Sequence, residues 1–383
     1  MPVRLVLTSK VSYSAGTCCY GSSPFSLQII TSFYEAYFER AHPLHPFLER
    51  KAFEDAASSP TLSHELSHNK AWLALYHAVL ALGCRISGGG SFEPGKGKSW
   101  RLFATSLAVL PDMLTLVDSI TVLQALTTMA IYSLSISCLS IEHVILQEAS
   151  RRVQNFRGAK LPDGATASYH KAFWVLYSLD KISSFHFGRT SVSQCRVADA
   201  TLGAYMCPDQ RPDQDGRANV YQMFSDHDIM VPIPIIPEAI LNEFDWFLSC
   251  ARYARLLSRA MTSLFSIGVT SKPEEYYLAV IGQLEHELEN WRMSIPENNR
   301  PGDTSKIHHI ETYLSRTGSV WAHLLYNSFR LSLCRARLQL AASSRQLSSA
   351  SDRAESTKVV LEASRSVLEL TVFIDVDPST PFW

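Results

Sequence analysis

The sequence predicts an all-α protein, a single large array of packed antiparallel helices with no substantial sheet. Apolar residues recur at spacings of three and four along almost the whole chain, the period of a helix with one buried face. Alternating Val, Ile, Thr and aromatic runs bounded by tight-turn dipeptides are scarce. The chain has 383 residues, 46% of them hydrophobic and 19% charged, enough to bury a large core. No period of 20–50 residues with matching positions emerges, so a solenoid of identical repeats is not expected.

Residues 1–27 are expected to form a flexible N-terminal segment: Arg4, Lys10 and many Ser and Thr, no acid before Glu35, and no clean apolar run. From residue 28 to 383 the chain reads as one helical unit. Leu27, Ile30, Tyr34 and Tyr37 mark a helix over 26–40, stopped by the His-Pro-Leu-His-Pro turn at 42–46. Residues 58–69 are polar and read as loop-like. A strongly apolar helix is predicted over 71–85, then a glycine-rich loop to 98 and a helix over 99–110 that Pro111 closes. Asp118 and Ser119 are N-cap candidates for a helix carrying Leu123, Leu126, Ala130 and Leu134. Its partner runs over 141–156 and ends in the loop of Gly158, Pro162 and Gly164. An aromatic-rich central helix follows over 169–187, then a polar excursion over 202–230 too long for an ordinary connection. Three prolines and four aliphatics at 231–237 must be extended. Helices resume over 238–267, 273–293, 307–343 and 352–373.

Composition excludes several functions. With 35 Lys+Arg against 36 Asp+Glu, the chain lacks the unbalanced basic charge that phosphate contacts demand. Its eight cysteines are scattered without a CxxC pair or zinc-ligand spacing, and read as small buried hydrophobes in a reducing compartment. A long uncharged stretch, 119–141, is long enough for a bilayer, but Gln124, Thr127, Thr128 and four serines interrupt it, so it reads as a helix buried in protein.

Two catalytic strings occur. His64-Glu-Leu-Ser-His68 fits the HExxH pattern, in which two histidines one turn apart bind zinc and the glutamate activates water. The extended motif requires Gly and His where Ala71 and Ala74 stand, leaving a distant residue such as Glu93 as a candidate third ligand. The polar surroundings favour a solvated helix entry, with His64 and His68 as metal candidates of second rank. Residues 90–96 fit the first part of a P-loop, but Gly97 replaces the Ser or Thr that holds magnesium, and a helix precedes it where the motif needs a strand. No GxSxG or GxGxxG string occurs, and the clusters Arg151/Arg152/Arg157/Lys160 and Arg330/Arg335/Arg337 read as solvated helix faces.

Several segments, in order, resemble the fungal-specific transcription factor domain, the middle homology region of zinc binuclear cluster regulators. The opening segment 34–50, with Phe53, is similar to that family's aromatic helix leading into a His-Pro turn. Residues 103–110 and 119–126, with Tyr132, resemble the helix pair that follows. Phe173, Trp174, Tyr177, Asp180 and Lys181, then Gly188-Arg189-Thr190, are similar to the aromatic helix and Gly-Arg-Pro turn of the family. There glycine permits the turn, and Asp180 and Arg189 are candidates for a buried pair that fixes it. Pro232, Pro234, the segment 288–296 around Trp291, and 324–337 also look like family landmarks.

The resemblance implies a nuclear transcription regulator without catalytic activity or resident cofactor in this chain. Trp174, Tyr177, Asp180, Gly188, Arg189 and Trp291 are its structural hallmarks. Implied partners are a transcription factor or coregulator protein, a small-molecule inducer and, indirectly, DNA; a membrane is not among them. Control of a metabolic pathway, such as that of a secondary metabolite, is a family-level expectation. Lys181 and Thr190 replace the family's Arg and Pro, and no six-cysteine cluster stands before the domain, Cys18 and Cys19 being adjacent. Zinc is therefore expected only in a DNA-binding module missing from this chain, and DNA contact from a partner or from upstream sequence. A finger-less module that modulates a full-length regulator is the alternative, and an HExxH hydrolase a remote one.

Overall fold

Caps and prolines divide the chain into thirteen α-helices among the residues that the computed structural model describes, which are 26–91, 93–136, 138–156, 164–188, 231–265, 272–343 and 350–374. The expected flexible segment 1–27, save its last two residues, and the polar excursion 202–230 lie outside them. So do Cys18, Cys19, Cys195, Cys207 and, of the predicted loop, Gly158 and Pro162.

The predicted first helix forms as α1 (Leu27–Ala36) and passes into a π-helical turn, Tyr37–Ala41, closed by the His42 N–H donating to the Tyr37 carbonyl at 2.9 Å. In the His-Pro turn beyond it, His42 is buried and its Nε2–H donates to the Leu48 carbonyl at 2.9 Å. Two short helices follow, α2 (Arg50–Ala57) and α3 (Leu62–His68). The sequence reading missed both, and 58–69 is mostly helix instead of loop. Asn69 then accepts the Trp72 N–H at 3.0 Å and starts α4 (Lys70–Cys84), buried on nearly every side.

By length and apolarity it is 70–89, not 119–141, that is suited to crossing a bilayer. Most of that stretch is buried inside the protein, against α1 and against α5 (Lys98–Ala108) and α7 (Ile120–Ser135).

Pro111 does not close α5. It sits in the first turn of a separate short helix, α6 (Leu110–Thr115), where its missing N–H has no hydrogen bond to lose. Ser119 caps α7 as expected, its Oγ accepting the Val122 N–H at 3.3 Å, whereas Asp118 is engaged elsewhere. α8 (Leu139–Phe156) packs back on α7, and the predicted aromatic helix is α9 (Ala165–His186), buried through most of its length.

The predicted helix over 238–267 begins late. Ile240–Leu241 (β1) and Phe244–Asp245 (β2) form a minimal antiparallel hairpin, with Asn242 in the left-handed region at φ 60° at the turn. Asp245 then accepts the Leu248 N–H at 2.9 Å and caps α10 (Trp246–Ser263). Asp245→Ala is expected to lower stability by about 1 kcal/mol in denaturant unfolding, and Asp245→Asn, which keeps a capping oxygen, by much less. The last helices are α11 (Glu274–Met293), α12 (Tyr313–Ser343) and α13 (Ala350–Leu370). Residues 307–309, expected to open a long helix, belong instead to a separate 3₁₀ turn, Thr304–His309, capped by Asp303.

The buried side chains form two large apolar clusters. One gathers the side chains of α1 through α9 with part of α10; the other joins the remaining face of α10 to α11, α12 and the hairpin. The two meet where α9 packs on α10.

Candidate functional site

The HExxH residues lie on α3, at the surface. The His64 and His68 rings stack at 4.1 Å, and the His68 Nδ1–H donates to the His64 carbonyl at 2.8 Å. Glu65 is exposed and accepts from the Thr61 hydroxyl at 3.0 Å. Among the described residues no group of three His, Cys, Asp or Glu side chains is placed to hold a metal. The P-loop-like stretch follows the π-helical turn Arg85–Gly89 at the end of α4, where the motif's chemistry calls for a strand, and Lys96 is paired with Glu93 at 2.5 Å.

The residues marked by resemblance are placed as follows. Trp174 is fully buried on α9, and its indole N–H donates to the Pro232 carbonyl at 3.0 Å, tying the proline-rich extended segment to the central helix. Its ring meets Phe173 and Tyr177 edge-on, and Tyr177 in turn stacks on Phe173. Asp180 is buried beside Lys181, whose Nζ lies 3.9 Å from the Asp180 carboxylate and 5.0 Å from the centre of the Tyr177 ring. Gly188 adopts φ +62°, the left-handed conformation expected of a turn glycine. Arg189, and with it the expected Asp180–Arg189 pair, lies outside the described residues. Trp291 on α11 donates to the Ser249 carbonyl at 2.9 Å and packs on Tyr253, whose hydroxyl donates to the Leu325 carbonyl at 2.8 Å. These two side chains therefore hold α10, α11 and α12 together.

Of the basic cluster expected on a solvated face, Arg151 is exposed, Arg157 and Lys160 lie outside the described residues, and Arg152 departs from the expectation. Arg152 is buried: its Nε donates to Glu148 at 2.6 Å, Nη1 to Asp118 at 2.9 Å and the Leu116 carbonyl at 3.1 Å, and Nη2 to the Met113 carbonyl at 2.6 Å. Partial burial alone would raise the Glu148 pKa, but hydrogen bonds from Arg151 and Arg152 hold it below the ordinary carboxylate range. The i,i+4 spacing of Glu148 and Arg152 was visible in the sequence, but the burial of the pair was not.

A cavity of about 120 Å³, which sequence reasoning did not locate, lies at the seam of the two clusters. Leu82, Ile131, Val175 and Leu179 line it from the first cluster, and Trp246, Phe247, Trp321 and Leu325 from α10 and α12. The guanidinium groups in its wall come from the two π-helical turns, which supply Arg40 and Arg85. Such turns splay the backbone outward from the helical path and recur at functional sites. Arg85 is buried, donating to the Ser135 carbonyl at 2.6 Å and the Ser91 carbonyl at 3.3 Å. Arg40 lies 4.6 Å from the centre of the Tyr313 ring, with one Nη1 contact of 3.5 Å to the Ile86 carbonyl. His45 is partly open to the cavity yet enclosed by protein. That burial, with His42 nearby, pushes its pKa down to about 4, so it is neutral at physiological pH. Burial pushes the Cys250 thiol well above its ordinary value, so it is not a thiolate nucleophile. The cavity has room for a small molecule, and among the described residues of its wall no nucleophile is hydrogen-bonded to an activating base.

Two curated relatives match this chain. An ABC-transporter-regulating transcription factor of Aspergillus fumigatus is 22% identical over 291 residues, covering 74% of this chain and 30% of the relative. A protein of the same description from Aspergillus oryzae is 21% identical with the same coverage. The chain thus spans less than a third of the length of either. No solved structure matches it. The family described as the fungal specific transcription factor domain matches residues 34–293, from the aromatic end of α1 through the last turn of α11, and so takes in nearly all of the first apolar cluster, the hairpin, α10 and α11 of the second, and most of the cavity wall, while α12 lies beyond it. Over that span, about two thirds of its length, the chain belongs to the fungal-specific transcription factor domain family.

Proposed function

We propose that this helical body is the regulatory part of a fungal transcription regulator and that its output is set by a small molecule held at the seam of the two apolar clusters. The observation that supports this is the cavity itself. One occupant there touches α4, α7 and α9 on one side and α10 and α12 on the other, so its binding energy depends on how the two clusters pack. A ligand that binds one packing arrangement better than another shifts the population between them.

In this reading the protein acts in the nucleus, and DNA is contacted by a partner protein or by sequence outside the helical body. The genes controlled include a transporter or pathway set, the first following the names of the two Aspergillus relatives. The test is to tether the 383-residue chain to an unrelated DNA-binding module upstream of a reporter in a fungal host. Reporter output is expected to differ from that of the module alone. It is expected to shift again in Thr317→Trp, which places a bulky ring in the cavity wall. Output identical to the bare module in both would overturn the proposal.

A further inference from the structure

The walls of the seam cavity specify more than size. Most of the lining side chains are aliphatic or aromatic, and none of the described ones is Asp or Glu. With His45 neutral, the fixed charges on the wall are the guanidinium groups of Arg40 and Arg85. These two differ in what they retain for a ligand. Arg85 is engaged at short distance with the Ser135 carbonyl. Arg40 is half-buried and has no carboxylate within ion-pair distance among the described residues. Its one hydrogen bond among the described residues is 3.5 Å long, and a guanidinium carries five donors in a fork that matches a carboxylate.

A second donor is unused. Trp246 is buried in the cavity wall, and its indole N–H has no acceptor among the described residues. Buried donors of this kind are ordinarily satisfied, so the site is built to receive an acceptor. The volume of about 120 Å³ is close to the ~150 Å³ of an apolar protein cavity that takes up benzene. A polyphosphorylated compound is a poor fit to such apolar walls, and an amine would meet two cations.

We infer that the cavity takes an amphipathic carboxylic acid, an apolar body of about one ring with its carboxylate on Arg40 and a further acceptor within reach of the Trp246 indole N–H. This rests on the ligand-sensing reading above and adds the chemistry of the ligand.

The experiment is titration of the full chain with three matched probes, 4-phenylbutyrate, 4-phenylbutanol and 4-phenylbutylamine, by calorimetry and tryptophan fluorescence at pH 7.5. The acid is expected to bind at least about tenfold more tightly than the alcohol, and the amine most weakly. Arg40→Gln is expected to abolish the preference for the acid while leaving the alcohol's affinity within about twofold, and thermal melting checks that the variant is folded. Equal affinity of acid and alcohol, both lost in Thr317→Trp, would overturn the anionic ligand while leaving a ligand-binding cavity. Absence of binding by all three probes at millimolar concentration would overturn both.

Discussion

Gly83→Ala is expected to destabilise the protein by about 3 kcal/mol, the upper end for overpacking a well-filled core. Gly83 lies on α4 where α1 crosses it. A β-carbon there would sit 1.7 Å from the Phe33 carbonyl oxygen and 2.4 Å from its carbon. Both are backbone atoms, so no rotamer change relieves the clash and α1 itself must move. Gly282→Ala is the control: that glycine is in the middle of α11 with nothing within 4 Å of the added carbon. There alanine is expected to stabilise by up to about 1 kcal/mol, because it reduces the backbone entropy lost on folding. Denaturant midpoints of the two variants should move in opposite directions. A Gly83→Ala midpoint within error of the parent would mean that α1 and α4 do not cross this closely.

The second large effect is expected at Arg152. Arg152→Met keeps most of the side chain's volume but removes its charge and all its donors. Asp118 and Glu148 lose their shared cation, and the Met113 and Leu116 carbonyls lose their donor. Removing one partner of a buried pair typically costs about 3–5 kcal/mol, and because Asp118 is partly solvated the lower end is expected here. Arg151, next in sequence and bonded to the same Glu148, is more than half exposed, and Arg151→Ala is expected to cost well under 1 kcal/mol. Equal losses from the two variants would contradict the burial of Arg152.

The pH dependence follows with a definite sign. The folded-state pKa of Glu148 lies below its ordinary value of 4.5. Its contribution to stability is therefore complete above that value and is lost as the pH falls through the lower, folded-state value. Arg152→Met should flatten that acid limb in unfolding curves recorded across the range.

Much of the architecture was legible because a single property, apolar spacing at three and four residues, decides it locally. The buried faces of α4, α7 and α9 and the Ser119 cap follow from such short-range rules. The misreadings arose where one local signature admits two structures. Pro111 breaks the preceding ladder as readily as it opens α6, because a proline's missing N–H is harmless in a first turn. Residues 62–68 are polar on most sides, and only Leu66 is buried, so their helix leaves almost no apolar period to read. The hairpin before α10 spans two residues per strand and has no alternation at that length.

The cavity and the buried arginine were beyond sequence reasoning for a different reason. Arg40, Arg85, Trp246 and Tyr313 are far apart in the chain, and Asp118 and Arg152 are on different elements. Nothing in their local context separates them from ordinary surface arginines or core aromatics.

By itself, then, the sequence determined an all-α chain, its principal helices and the order of motifs by which its family is recognised, since helix formation and burial leave a periodic record along the chain. The tertiary structure decided which glycine must stay bare, which arginine is buried and where two apolar clusters leave room for a ligand. Those properties depend on distances between atoms of separate helices, and such distances exist only once the helices have packed.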